Sequence, residues 1–367
     1  MDLERLLANA LALQAIPSPT FEERERAAEF RARLIASGWG PVHLDPVGNV
    51  LGRLGGASAP GVVVCAHLDS VFSRPEHRPA RRDQDSLSGP GIGDNALGLA
   101  VLLELACDLR GSPPAACIWL AATVGEEGLG NLRGMYALVE SLRSQACAYI
   151  VVEGMTLGHV YHRGLPARRL RISLRTNGGH SWTHAGRPSA VAEIIRLANR
   201  LIQLPLPSRP RTTLNLGRIE GGTAINAIAA HASLELDLRS EDEKVVAGLE
   251  SAVLHQAEAQ AGPEVQVECA AIGSRPGGGL PASHPLVAAA VASLRAQGVE
   301  DVQLGAGSTD ASAPLSLGIP AVCLGVTSGH MAHSQEERVD IPPIARGYAA
   351  VLATVVEAAR LSHAGLL

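Results

Sequence analysis

Gly61-Val62-Val63-Val64-Cys65-Ala66 runs straight into His67-Leu68-Asp69, and this stretch decides the fold. A short β-branched run without polar alternation reads as a strand buried on both faces. The same pattern recurs twice. Ala121-Ala122-Thr123-Val124-Gly125 leads into Glu126-Glu127, and Tyr149-Ile150-Val151-Val152 leads into Glu153-Gly154. Helical periodicity over 95–110 and 129–143 separates strands expected at 61–66, 115–124 and 148–152. That alternation predicts an α/β domain around a mostly parallel sheet. In open α/β sheets ligand sites form beyond the C-terminal strand ends. One histidine and several carboxylates are therefore delivered to one rim.

Working outward, helices are expected over 2–15 and 22–37, closed by Ile16-Pro17-Ser18-Pro19 and by Gly38. The pattern changes after Pro166. Residues 168–176, 212–219 and 232–239 alternate apolar and polar, 264–269 forms a further strand, and helices span 189–204 and 241–260. This predicts a smaller α+β domain with one sheet face open to solvent. It occupies 167–274 and is inserted into a first domain made of 1–166 and 275–367. Arg275-Pro276-Gly277-Gly278-Gly279 reads as a hinge, followed by a helix at 284–297, a strand at 320–324 and a helix at 342–361.

The chain has 367 residues, 46% of them hydrophobic and 18% charged, with a formal net charge of −5. That apolar fraction supports packed cores. Lys244 is the only lysine, in Ser240-Glu241-Asp242-Glu243-Lys244, so no Gly-Lys-Ser/Thr phosphate loop exists and no desolvated Schiff-base lysine is expected. Slight acidity without a basic block argues against nucleic acid or anionic membrane as partners. The longest apolar stretch, 96–107, is interrupted by Glu104 and falls short of the roughly 20 residues a bilayer needs. Six scattered cysteines read as reduced thiols, and the acidic start Met1-Asp2-Leu3-Glu4 does not resemble a secretory leader. A cytoplasmic protein is expected.

Gly89-Pro90-Gly91-Ile92-Gly93-Asp94-Asn95 adds a carboxylate at a helix start, and Ser328-Gly329-His330-Met331-Ala332-His333-Ser334 adds two histidines after the last strand. So many carboxylates at one rim would repel one another and bind protons more tightly. Divalent cations resolve that conflict. Two histidines and three carboxylates suffice for two ions if one carboxylate bridges. Each piece alone also fits a surface loop; their joint placement points to a metal site.

The order His67-x-Asp69, Gly-x-Gly-x-x-Asp94, Glu126-Glu127, Glu153 and His333 resembles the di-zinc metallohydrolases of metallopeptidase family twenty. These are typified by aminoacylase, succinyl-diaminopimelate desuccinylase, acetylornithine deacetylase, carboxypeptidase G and peptidase T. The resemblance runs from Ile16-Pro17-Ser18 to beyond His333. It implies a catalytic α/β domain with an inserted lid that also serves dimerisation, hence a homodimer. It implies His67, Asp94 and Glu153 at one zinc and Asp94, Glu127 and His333 at the other, with cobalt or manganese as alternatives. Asp69 would orient the His67 ring, and Glu126 would be the general base toward a metal-activated water. The expected reaction is hydrolysis of an amide in a small N-acyl amino acid or short peptide. The alternatives are an aminopeptidase or tripeptidase of the same fold, or a non-catalytic metal- or peptide-binding homologue.

Further segments carry the resemblance into the lid. Gly178-Gly179-His180-Ser181 resembles the lid histidine motif, in which the histidine helps hold the oxyanion and, in dimers, reaches the partner's site. Asn226, after Gly221-Gly222-Thr223, and Arg239, in Asp237-Leu238-Arg239, match segments that contact a substrate carboxylate. Gly307-Ser308-Thr309-Asp310 matches a segment near the active site without an assigned role. Of His330 and His333, the latter fits because Ser334 and Glu336 follow it as in the family motif. Asn95-Ala96 follows Asp94 where many relatives carry Asp-Lys or Met-Lys, and the peptide there is often cis in that family. Glu153, rather than aspartate, tilts the reading toward N-acyl or C-terminal substrates. Gly91-x-Gly93-x-x-Ala96 loosely fits a dinucleotide fingerprint, but 81–86 does not read as the strand that must precede it. No Gly-x-Ser-x-Gly elbow is present.

Overall fold

The computed structural model describes residues 1–55, 60–114 and 116–367. The chain divides into two compact units, Met1–Gly164 with Gly278–Leu367, and Leu165–Gly277. The first unit is built on a nine-stranded mixed sheet. Its centre is parallel: Ile118–Thr123, Gly61–His67, Ala146–Glu153 and Ala321–Gly325 lie side by side in that order. Ala115, expected to open the second of these strands, lies outside the described residues. Antiparallel strands flank the centre, Val50–Leu54 and Val42–Leu44 on one side and His159–Gly164 on the other.

The uninterrupted apolar runs follow from burial on both faces. Val62, Val64 and Ala66 pack into one core with helices Leu97–Gly111 and Ile344–His363, whereas Val63 and Cys65 pack into a second with Arg133–Ser141. Side chains alternate across a strand, so a strand covered on both faces needs apolar residues at every position. Helix 344–363 packs so closely that a Cβ at Gly347 would run into the Val326 carbonyl.

The second unit is a four-stranded antiparallel sheet in the order Thr212–Gly221, His231–Ser240, Ala167–Arg175, Gln266–Arg275. Helices Ala190–Leu201 and Glu243–Glu258 cover one face through Leu170, Ile172, Leu174, Leu234, Leu236 and Leu238. The other face carries cross-strand ion pairs, Arg169–Asp237 at 3.0 Å and Arg171–Glu235 at 2.6 Å. Alternation made this unit legible. Its last strand is longer than expected, reaching Arg275, and Gly278–Gly279 already pairs with His159–Gly164 in the first unit's sheet.

Several elements depart from expectation. The strands 42–44, 50–54, 159–164 and Gln303–Gly307 were not expected, being short, glycine-bearing or partly exposed. The 81–86 segment is not structureless. Arg81–Arg82 and Ser86–Ser88 form an antiparallel hairpin in a separate small sheet with Gly329–His330 and Arg338–Asp340. Because this hairpin is not part of the parallel sheet, the glycines after it still do not make a dinucleotide turn. Helix 129–143 is shorter, Arg133–Ser141, because Asn131 and Leu132 take positive φ ahead of it. The 95–110 helix starts at Leu97, since Asp94 and Asn95 have non-helical backbone angles. Lys244 is exposed in the first turn of helix 243–258, capped by Asp242.

Gly347→Ala should destabilise the chain by about 1–3 kcal/mol, the usual cost of overpacking. A lower denaturant midpoint with unchanged slope is the expected result.

Candidate metal centre

Three strands of the parallel centre lead at their C-terminal ends into polar groups of the site. His67 closes its strand and is 1% exposed. Its Nδ1 lies 3.0 Å from the main-chain carbonyl of Asp69, an oxygen that can only accept. Nδ1 therefore carries a proton whatever the charge of the ring, and Nε2 is the nitrogen that faces the cluster. Nε2 is 2.9 Å from Asp94 Oδ1 and 3.8 Å from Glu153 Oε2. On the opposite side, His333 Nε2 is 3.0 Å from Asp94 Oδ2 and 3.3 Å from Glu127 Oε1. Asp94 thus gives one oxygen to each histidine. His330 does not share this position; it pairs in register with Arg338 on the small sheet.

Asp69 faces the His67 ring and makes further contacts. Its carboxylate stands 3.5 Å from His67 Nδ1, and its close partners are the backbone N–H groups of Glu126 and Glu127, both at 2.9 Å, and the Thr20 hydroxyl, also at 2.9 Å. Both the carbonyl and the carboxylate of Asp69 face the His67 ring, and the carboxylate also shapes the Glu126–Glu127 loop. The reason is local: three donors converge on that carboxylate, and a buried carboxylate takes the donors it can reach.

Protons balance the charge of the cluster. Burial, then the Asp94 charge, pushes Glu127 up to about 8. Burial pushes Glu153 up to about 7. Burial would also raise Asp94, but the bonds from His333 and His67 outweigh it and hold that carboxyl below its ordinary value. Burial opposes a charge on His67, yet Asp69, Asp94 and Glu153 hold it well above its ordinary range. Asp94 and Glu127 raise His333 to about 11. These protons occupy positions that suit cations. A tetrahedral site with bonds of about 2.0–2.2 Å sets neighbouring donor atoms roughly 3.3 Å apart. The four donor separations, 2.9, 3.8, 3.0 and 3.3 Å, bracket that spacing. Ligand atoms of His67, Asp94 and Glu127 lie within 4.8 Å of one another. The donor set fits divalent metal.

Glu126 is 5% exposed on the loop beside Glu127, and its charge acts on Glu127, Glu153 and Asp310. The Asp94–Asn95 peptide is cis. In the second unit His180 and Asn226 are neighbours, since Gly179–His180 pairs with Ala227–Ile228 and the Ser181 N–H donates to the Asn226 carbonyl at 3.0 Å. Both residues are exposed. Arg239 is apart from them on the sheet, its Nε donating to Asp237 at 2.6 Å.

Residues 63–357 match the family described as peptidase family M20/M25/M40. The chain belongs to this family. It is a hydrolase, and its M20/M25/M40 relatives include a putative succinyl-diaminopimelate desuccinylase of Mycobacterium tuberculosis. That protein is 30% identical over 340 residues, which cover 90% of this chain and 92% of the relative. The fold is shared with a tripeptidase from Staphylococcus aureus at a TM-score of 0.78 and 23% identity, covering 98% of this chain and 99% of that one. It is also shared with a dinuclear metal-binding peptidase of the same family from Bacillus subtilis, at a TM-score of 0.68 and 17% identity, covering 96% and 98%.

Sequence reasoning quoted the segment ending in Asp310 without assigning it a role, and it did not single out Glu337. Asp310 is fully buried and accepts from the Thr123 hydroxyl at 2.5 Å; burial, then the Glu126 charge, raises it to about 7. Glu336, singled out after His333, is exposed; the engaged residue is its neighbour Glu337, which is fully buried. Adjacent carboxylates cannot be told apart without knowing which way the loop turns.

Adding zinc to metal-free protein near neutral pH should release protons, because His67 and His333 must give theirs up to bind. It should also raise thermal stability, by about 2.7 kcal/mol at a hundredfold excess over the dissociation constant. Asp94→Ala should abolish both effects, measured by calorimetry in buffers of different ionisation enthalpy.

Proposed function

We propose that the chain is a zinc-dependent deacylase that cleaves the amide of small N-acyl amino acids. The carrying observation is Asp94, which offers one oxygen at His67 and the other at His333. On this reading His67, Asp94 and Glu153 hold one ion, and Asp94, Glu127 and His333 hold the other. Cobalt or manganese would also suit such a mixed donor set. Bound there, the ions supply Lewis-acid charge that polarises a carbonyl and lowers the pKa of water toward ~7.

The chain's own groups do the rest. Glu126 takes the proton from the attacking water and passes it to the leaving nitrogen, so one carboxylate serves as base and then acid. Asp69 fixes the loop from which Glu126 projects. His180 is suited to donate to a developing oxyanion. Its Nδ1 accepts from the Trp182 and Thr183 N–H groups at 3.1 and 3.3 Å, which leaves the proton on Nε2. Asn226 and Arg239 would recognise the substrate carboxylate, Arg239 with the donors that Asp237 does not occupy.

The relative at 30% identity, a putative desuccinylase, and the glutamate at position 153 support an N-acyl substrate over a free peptide. We further propose that the second unit acts as lid and dimerisation domain, with His180 serving the partner's site. A reducing, cytoplasmic setting is supported by six free cysteines. No helix among the described residues is long and apolar enough to cross a membrane.

A panel of N-acyl amino acids and di- and tripeptides, assayed with and without chelator, tests the substrate class. Chelator-sensitive cleavage of the acyl substrates is expected; cleavage of free peptides alone would make the enzyme a peptidase instead. Glu126→Gln should keep its metal and lose about 10²–10⁴-fold in kcat, and near-normal turnover would refute the general-base role. His180→Ala should lose turnover with metal intact. Mixing the His180→Ala and Glu126→Gln chains should restore part of the activity if the site is shared between subunits.

A further inference from the structure

The turn that carries Asp94 is gripped from two sides, and the two grips lead to different halves of the metal centre. On one side is Asn95. Its Nδ2 donates to the Val152 carbonyl at 2.8 Å, and its Oδ1 accepts from the Gly154 N–H at 3.1 Å and the Gly98 N–H at 3.2 Å. Val152 and Gly154 flank Glu153 in the chain. On the other side is Glu337. Its buried carboxylate accepts from the backbone N–H groups of Gly91 at 3.2 Å, Gly93 at 2.7 Å and Asp94 at 2.9 Å. Its main-chain carbonyl accepts from the Gly89 N–H at 2.8 Å. Glu337 follows His333 on the same loop.

We propose that Glu337 is the positioning residue that couples the bridging aspartate to the His333 side of the centre. Losing its carboxylate then weakens the ion assigned to Asp94, Glu127 and His333 before the ion assigned to His67, Asp94 and Glu153. This rests on the ligand reading given above.

The physical argument is one of unequal restraint. Asp94 has φ −118° and ψ 82°, so no helical ladder receives its N–H, and Glu337 takes that place. Three N–H groups converging on one carboxylate make a cradle for a negative charge. Without the acceptor these groups lose their partner, and the turn shifts to recover one. The His67 side resists that shift, because His67 ends a fully buried strand and Asn95 still ties the turn to Val152 and Gly154. The His333 side has less to hold it. The His333 side chain is 54% exposed and its backbone has φ 62°. Gly93 admits no adjustment through a larger residue, since a Cβ there would meet Val339 and Met155.

The test compares Glu337→Gln with Glu337→Ala in the full chain, reading zinc content and affinity against a graded chelator, and the visible spectrum after cobalt substitution. Glu337→Gln keeps an oxygen acceptor and removes the charge. Outer residues that orient metal ligands are worth about 10- to 100-fold in affinity, so the glutamine variant should lose near the lower figure and the alanine variant near the upper. In both, one ion should weaken selectively, and the cobalt spectrum should resemble that of His333→Ala, not His67→Ala. Unchanged affinity for both ions overturns the proposal, as does an equal loss of both. A Glu337→Gln chain that fails to fold with or without metal also overturns it, in favour of a purely structural role. Asp94→Ala separates the two levels. If it still binds both ions, the ligand reading fails and the proposal with it; if it loses both while the Glu337 variants keep them, only the proposal fails.

Discussion

A carboxylate held between two histidines is the constraint on which the site depends. Asp94 stands 2.9 Å from one ring and 3.0 Å from the other, amid other carboxylates that are largely out of water. Like charges at that density are costly unless something positive is shared among them. In the metal-free chain protons do this, which is why both histidines bind protons tightly while Glu127 and Glu153 titrate near neutrality. Divalent ions do the same with more charge at fewer points.

The parallel sheet makes this arrangement possible. Its strands are buried on both faces, so they cannot carry polar groups along their length. They release them together at the C-terminal rim: His67 and Glu153 close their strands, and Glu126 and Glu127 follow Thr123. The loops that complete the site come from distant parts of the chain and need explicit fastening. Asp69 fastens the Glu126–Glu127 loop, Asn95 fastens the Asp94 turn to the Glu153 strand, and Glu337 fastens it to the His333 loop. These fasteners are polar side chains bound to backbone groups, the usual way buried loops satisfy their N–H and C=O groups.

The fold was legible where burial imposed a simple pattern. Continuous apolar runs gave away the central strands, and strict alternation in 168–176 and 232–239 gave away the open-faced sheet. The flanking strands escaped because 42–44 is short and 159–164 mixes His159, His162 and Arg163 with apolar residues. The hairpin at 81–88 escaped because its pairing partner, Arg338–Asp340, is far along the chain. Within the site, motif spacing found the residues that face the cluster. It did not single out Thr20, Thr123 or Glu337, whose hydrogen bonds join residues far apart in the chain and leave no spacing to read.

The amino-acid sequence by itself determined the α/β architecture, the rim at which polar groups collect, and the histidines and carboxylates brought there. These follow from periodicity and from the cost of burying charge, both of which act locally. Only the tertiary structure decided that the Asp69 carboxylate also binds the Glu126–Glu127 loop, that Asn95 ties the aspartate turn to the Glu153 strand, and that Glu337 holds that turn from the other side. Each depends on which backbone N–H and C=O groups are left unpaired after the loops pack, and that is settled by contacts between residues as far apart as Gly91 and Glu337.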